Sequence, residues 1–294
     1  MPPEPSSSIA VPAGLAELTS RYRLLLCDIW GVVHDGRRAF SATADALTRF
    51  RDGGGRVILV SNAPRPCEPV IEQLDQLGVP RHTYDAVVTS GDVTRGAIAA
   101  RSSEGIYRIG PDRDLSLFHG LSPRFVGEDE ADYVVCTGLF DDETETVASY
   151  EGTLRRARER GLVMVCANPD IVVERGSELV LCAGALAEAY AGMGGEVVMA
   201  GKPHRPIYDA AMDQGAALLD FAPRRDATLA VGDALRTDIA GAAAYGIDSL
   251  LVARGIHAAE LGAAHDGSWD RDRALAWLAG REPRPTYVID ALRW

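Results

Sequence analysis

The sequence predicts an α/β protein: a parallel sheet assembled from both ends of the chain, with a second, smaller α/β unit inserted between them. Three observations predict it. Short apolar runs alternate with segments of helical period through the first third of the chain. A middle stretch carries strands of its own. From Val197 the first pattern resumes. Strand and helix alternating over short connections imply parallel strands with right-handed crossovers. At 294 residues the chain is longer than one average domain.

Taken in order, residues 1–8 are rich in Pro and Ser and are expected to be disordered. They lack the hydrophobic stretch of a secretory signal. Residues 23–30 (RLLLCDIW) read as a buried strand. Residues 41–51 have helical spacing, with Ser41 expected as the N-cap. Gly53 to Gly55 end that helix, and residues 56–60 form the next strand. Residues 68–77 are helical and stop at Gly78, and residues 85–89 are a third strand. In the middle, residues 105–109, 132–137 and 162–166 read as strands, and a long polar helix is expected over 143–160. After it, strands at 197–200, 228–231 and 249–253 alternate with helices at 206–219 and 236–245. The expected organisation is therefore a disordered segment over 1–20, a core over 21–89 and 197–294, and an inserted unit over 90–196.

Composition narrows the function classes. With 47% apolar and 24% charged residues, the chain is ordinary globular material with enough apolar content for a sizeable core. A net charge of −12 argues against a non-specific nucleic-acid binder and against docking on anionic membranes. No apolar run reaches the roughly 20 residues of a membrane span. The five cysteines, Cys27, Cys67, Cys136, Cys166 and Cys182, form no CxxC pair. They read as reduced and structural, which fits a cytoplasmic protein. Of 30 basic residues, Lys202 alone is a lysine. Where arginine supplies charge everywhere else, a surviving ammonium either has a task that a guanidinium cannot perform or stands there by chance.

Four constellations carry chemistry. Asp28 ends an apolar strand and precedes Gly31. Ligands of parallel sheets bind beyond the carboxyl ends of the strands, and an acidic group after LLLC is costly without a partner. A turn aspartate is the structural alternative. Ser61 and Asn62 follow the strand VILV, where a hydroxyl and an amide suit a phosphate oxygen and also suit an ordinary turn. Lys202, in Gly201-Lys202-Pro203 after VVMA, is placed to neutralise a phosphate together with a carboxylate. In VGDALRTD, Asp233 and Asp238 flank a strand-to-helix turn. Asp233 is placed to meet Asp28 at the sheet edge. Mg²⁺ prefers oxygen ligands, often one or two carboxylates with water and substrate phosphate, and Asp238 is placed to act from behind them. No phosphate-loop, dinucleotide, zinc or nucleophile-elbow signature competes.

These four motifs, in this order and each at a strand end, resemble the haloacid dehalogenase superfamily. The resemblance covers about residues 23–252. The insert resembles the type IIA cap, whose members include p-nitrophenyl-phosphatase-like and sugar- or nucleotide-phosphatase-like enzymes. Ala167-Asn168-Pro169-Asp170 and the stretch AGKPHRPIYDAA strengthen it. The resemblance implies a three-layer Rossmann-like core with an inserted cap. Asp28 would be the nucleophile, and Ser61 with Asn62 would hold the phosphoryl group. Lys202 would offset charge, and Asn168 and Asp170 would bind substrate. Mg²⁺ would be held by Asp28, Asp233, Asp238 and the backbone carbonyl of Trp30. The implied partners are a small phosphorylated substrate and a second copy of the chain meeting through the cap.

One position departs from that pattern. Phosphatases of the superfamily carry DxD, whose second aspartate protonates the leaving group and later activates water. Here DIWGVVHDG puts Trp30 there, and an indole is neither acid nor base at neutral pH. General acid–base help is typically worth about 10²–10⁴-fold. His34 and Asp35, in the expected flap, are the candidate substitutes, or else form a solvated turn. Trp30 itself would stack on a ligand or pack against the cap. Three readings follow: a slow or atypical Mg²⁺-dependent phosphomonoester hydrolase, a non-catalytic or regulatory phosphate-ligand binder, and an enzyme that cleaves a C–halogen or C–P bond. The retained Asp233 and Asp238 weigh against the third.

Overall fold

The computed structural model describes residues 9–175, 178–219, 222–264 and 267–294. In chain order the elements are β1 (Leu24–Cys27), α1 (Ser41–Asp52), β2 (Arg56–Ser61), α2 (Cys67–Gln76), β3 (Ala86–Thr89), α3 (Ser90–Ala99) and β4 (Gly105–Ile109). Next come β5 (Arg124–Phe125), β6 (Tyr133–Cys136), α4 (Glu151–Glu159), β7 (Val163–Cys166), β8 (Val172–Arg175), β9 (Glu178–Leu181), α5 (Ala183–Gly192) and β10 (Val197–Met199). The chain continues with α6 (Arg205–Leu219), β11 (Thr228–Gly232), a π-helical turn (Leu235–Ile239), α7 (Ala240–Tyr245), β12 (Asp248–Val252), α8 (Arg271–Ala279) and β13 (Tyr287–Ile289).

The larger sheet has the order β13-β12-β11-β1-β2-β3. Its pairs β1–β2, β1–β11, β11–β12 and β12–β13 are all parallel. Every residue of β1 and of β11 is buried, as expected of central parallel strands covered on both faces. A second, five-stranded sheet has the order β10-β7-β6-β4-β5 and is also parallel throughout. Parallel sheets with flanking helices make this the α/β, Rossmann-like arrangement that the alternating periods predict.

The chain packs as two compact units. One comprises Met1–Leu59, Leu77–Ala86 and Ala211–Trp294; the other comprises Val60–Gln76 and Val87–Ala210. In the second unit, side chains of the middle strands alternate between two cores, as a period of two requires. Val134, Cys136, Met164 and Cys166 pack on one face with Leu154 of α4 and Leu186 and Tyr190 of α5. Tyr133, Val135 and Val165 pack on the other face with Ile98 of α3 and Phe118. The segment around Asn62 groups with this unit although most of β2, which precedes it, belongs to the first, and Lys202 follows β10 of the second unit's own sheet. The cause is local: Gly91 donates to the Ala63 carbonyl at 3.0 Å, and a Cβ on Gly201 would lie 2.9 Å from Pro169.

Several expectations are corrected. The helix expected over 143–160 is shorter, because Asp141 accepts from Glu143 N at 3.0 Å and from the Thr144 hydroxyl at 2.7 Å. Such side-chain bonds compete with helical ones, so a 3₁₀ turn (Val147–Tyr150) precedes α4 instead. Ser41 is not the N-cap of α1; Phe40 is, with no side-chain cap, its N–H held by the Val33 carbonyl at 2.8 Å. Of the segment 1–20, residues 1–8 lie outside the described residues. Residues 9–20 are not disordered: Ala10 bridges Tyr287, and Leu15 and Leu18 are buried in a 3₁₀ turn. Among the described residues, no helix is long and apolar enough to cross a membrane.

Candidate active site

The register of the central strands places the acidic residues. Cys27 of β1 pairs with Val231 of β11. Asp28, one residue on, donates its N–H to the Val231 carbonyl at 2.8 Å. Asp233 follows the end of β11, so the two aspartates stand at neighbouring strand ends, where parallel sheets bind ligands. Asp238 joins them through the π-helical turn, in which Ile239 N donates to the Ala234 carbonyl, five residues back, at 3.2 Å. Single π turns inside helices recur at functional sites. Carboxylate oxygens of Asp28, Asp233 and Asp238 all lie within 4.8 Å of one another. The three residues are only 9%, 8% and 3% exposed.

Backbone supports this cluster at close range. Ile256 N donates to Asp233 Oδ2 at 2.8 Å, and Ala234 N donates to Asp238 Oδ2 at 3.1 Å. A Cβ on Gly31 would lie 2.1 Å from Asp233 Oδ2, one on Gly255 would lie 2.0 Å from it, and one on Gly232 would lie 2.1 Å from Asp238 Cγ. The carboxylates thus fill spaces that only glycine leaves open. Three acidic groups so close and so buried hold their charge only against a positive counter-charge. The donors are hard oxygens, the set that suits Mg²⁺ or Ca²⁺. The Trp30 carbonyl accepts no hydrogen bond from the described residues, which leaves it available as a further oxygen ligand. The site therefore fits a divalent cation.

The turn after β1 answers what Trp30, His34 and Asp35 do. Gly31 N donates to the His34 carbonyl at 2.9 Å, closing a tight turn. The indole of Trp30 lies against Gly36, whose Cβ would be 2.6 Å from its Cζ3, and edge-on to His34 with ring centroids 5.0 Å apart. It packs on its own loop. His34 is 1% exposed, and its Nδ1 accepts from Gly36 N at 3.0 Å. Burial lowers its pKa to about 4, against a weaker opposing effect of Asp35, so the ring is neutral at pH 7. Asp35 Oδ1 accepts from Arg37 N and Arg38 N, both at 2.9 Å. Partial burial opposes its ionisation, but these bonds and the Arg38 guanidinium hold its pKa below the usual carboxylate value. At neutral pH Asp35 is therefore a carboxylate and His34 a neutral imidazole, and neither is an effective proton donor.

The second unit assembles the remaining predicted residues. Asn62 is an organiser: its Oδ1 accepts from Lys202 N at 2.7 Å, and its Nδ2 donates to the Lys202 carbonyl at 3.0 Å and to Asp170 Oδ1 at 2.9 Å. One amide therefore fixes both the backbone of Lys202 and the carboxylate of Asp170. Asn168 Oδ1 accepts from Asp170 N at 3.0 Å, which shapes the Asn-Pro-Asp turn. Ser61 Oγ accepts from Ala63 N at 3.1 Å. Lys202 is 4% exposed, so it is not a surface lysine. Sequence reasoning missed Ser90, whose buried hydroxyl has no hydrogen-bond partner among the described residues. A Cβ on Gly201 would lie 2.8 Å from that oxygen and 2.4 Å from Asn62 Oδ1. It also missed the cradling Gly232 and Gly255; a glycine at each turn was the available signal.

Comparison with known proteins agrees with this geometry. The family of haloacid dehalogenase-like hydrolases matches residues 25–122, and a second, HAD-hydrolase-like family matches residues 199–294. A haloacid dehalogenase-like hydrolase from Brucella suis is 45% identical with a TM-score of 0.85, covering 96% of this chain and 100% of that one. A D-glycerol 3-phosphate phosphatase from Mycobacterium tuberculosis is 29% identical over 95% of this chain and 72% of its own length. A 5'-nucleotidase from Bacillus subtilis is 27% identical over 92% of this chain and 96% of its own. With a relative this similar along its whole length and family models matching both ends of the chain, the chain belongs to the haloacid dehalogenase-like hydrolases.

Proposed function

We propose that the chain is a Mg²⁺-dependent phosphatase acting on a small phosphorylated metabolite through an aspartyl-phosphate on Asp28. The observation that carries this reading is the buried cluster of Asp28, Asp233 and Asp238 at the carboxyl ends of two central strands. The relatives named as a D-glycerol 3-phosphate phosphatase and a 5'-nucleotidase support the reaction class.

In this reading Asp28, Asp233, Asp238 and the Trp30 carbonyl hold Mg²⁺, with Asp238 supporting the others. The ion supplies positive charge to the phosphoryl oxygens, where transition-state charge lies. An oxygen of Asp28 attacks phosphorus, splitting hydrolysis into two easier steps. Ser61 binds a phosphoryl oxygen. Lys202 offsets the charge of the nucleophile and the phosphate, and the Asn62 amide fixes its backbone so that little ordering remains for the moment of reaction. Residues 90–196 act as the cap, and Asn168 and Asp170 meet the substrate. Turnover is slow, because Trp30 supplies no proton.

The test is phosphate release over a panel of sugar, polyol and nucleotide phosphates, with and without Mg²⁺, for wild type and Asp28→Asn. Activity that needs the metal and falls at least about 10³-fold in the variant is expected. Equal rates for the two proteins refute the reading. Trp30 favours one second reading, a phosphate-ligand binder that has lost turnover. Tight ligand binding with no phosphate release, even from Trp30→Asp, selects it.

A further inference from the structure

Breaking the bond between phosphorus and an alcohol oxygen releases an alkoxide, which needs a proton as it forms. Among the described residues of the unit that holds Asp28, the side chains of the turn after β1 and of the Asp233 loop offer none. In the unit that holds Asp28, the turn after β1 presents Trp30, His34 and Asp35. The indole of Trp30 is not an acid. His34 Nδ1 accepts from Gly36 N, so the ring is the neutral Nε2–H tautomer, whose N–H is too weak an acid to protonate a leaving group. Asp35 accepts two backbone N–H groups and pairs with Arg38 at 3.3 Å. His257, near the Asp233 loop, accepts from Leu235 N on its Nε2 at 3.4 Å. Asp233 and Asp238 are committed to the metal in the proposed reading, each already accepting a backbone N–H. In the other unit, Asp170 accepts from Asn62. Lys202 would forfeit the charge it contributes if it gave up its proton.

We propose that the substrates are phosphate compounds whose leaving oxygen is already stable as an anion, namely acyl phosphates, phosphoanhydrides and aryl phosphates, rather than alkyl phosphomonoesters. The inference rests on Asp28 being the nucleophile and narrows the substrate class of that site. In the first step an Asp28 oxygen bonds to phosphorus. The bond from phosphorus to the leaving oxygen breaks, and its electron pair stays on that oxygen as a carboxylate, phosphate or phenolate, with no proton required. In the second step a water oxygen bonds to phosphorus and the pair of the broken bond returns to the Asp28 carboxylate. The water proton goes to bulk solvent. That step is slow, so the phosphorylated form of Asp28 accumulates. The chemistry separates this chain from its relative that acts on D-glycerol 3-phosphate, an alkyl ester.

The experiment compares acetyl phosphate, 4-nitrophenyl phosphate and glycerol 3-phosphate with the full chain at saturating Mg²⁺. The expected kcat/KM for the first two exceeds that for the third by at least about 10²-fold. A stoichiometric burst of 4-nitrophenol precedes the slow steady state. Trp30→Asp narrows the gap between ester classes by about 10²-fold or more, and Trp30→Asn, which opens the same space without an acid, leaves it unchanged. If the variants do not fold, the wild-type comparison decides alone. A kcat/KM for glycerol 3-phosphate within about tenfold of the aryl ester, or a linear trace with no burst, overturns the inference. Turnover retained by Asp28→Asn, or no reaction with any of the three compounds, instead defeats the phosphatase reading itself and this inference with it.

Discussion

At the scale of single residues, the acidic cluster depends on glycines as much as on aspartates. Gly31 has φ +75°, a left-handed conformation that costs other L-residues about 1–2 kcal/mol, and its missing side chain leaves room for Asp233. Gly255 has no such φ and is required for space alone. Gly255→Ala would therefore push the Asp233 carboxylate aside while leaving the backbone unstrained. The expected result is a loss of Mg²⁺ affinity of about 10-fold or more by titration calorimetry, of the size seen when groups supporting metal ligands are removed, with only a small change in thermal stability. Unchanged affinity would show that Asp233 tolerates displacement and is no ligand. Trp30 belongs to the same scale: it fills a space against Gly36 and His34 rather than offering a reactive group.

At the scale of elements, α3 is the instructive case. Its N-terminus is a capping box: Thr89 Oγ1 accepts from Asp92 N at 2.9 Å, and Asp92 Oδ2 accepts from Thr89 N at 3.0 Å. Asp92 also accepts from Cys67 N at 3.1 Å, which ties the start of α2 to the start of α3. Thr89→Ala should cost about 1–2 kcal/mol in chemical denaturation; a change below about 0.3 kcal/mol would mean that Asp92 holds both helices by itself. The sequence hides this helix because SGDVTRGAIA contains two glycines, poor helix formers. One of them, Gly91, is there because a Cβ would lie 2.3 Å from the Arg65 carbonyl. Helix α5 is hidden for the opposite reason: Ala183–Ala187 are all buried, so no polar face marks its period. The apolar strands were legible, with β4 at its observed bounds and β1 within its expected run. Asp28, Asp233 and Asp238 were legible because strand ends and glycines flag them. The π turn that brings Asp238 back was not, since nothing in the local period marks the bond from Ile239 N to the Ala234 carbonyl five residues back.

At the scale of the whole molecule, the functional groups divide between the two units. Asp28, Trp30, Asp233 and Asp238 belong to one; Ser61, Asn62, Asn168, Asp170 and Lys202 belong to the other. Each set is organised within its own unit, the first by strand register and glycine cradles, the second by the Asn62 amide. The chain is acidic, at −12, yet it places its single lysine in a buried, hydrogen-bonded setting, and the proposed chemistry requires that cation for the phosphate. The central claim is that Asp28 takes the phosphoryl group. The most direct measurement is intact-protein and peptide mass spectrometry after acid quench of the full chain with acetyl phosphate and Mg²⁺. The account predicts one added phosphoryl group on the peptide containing Asp28, absent from Asp28→Asn and from samples treated with a chelator. A phosphoryl group on another residue, or phosphate release from Asp28→Asn at the wild-type rate, would contradict it.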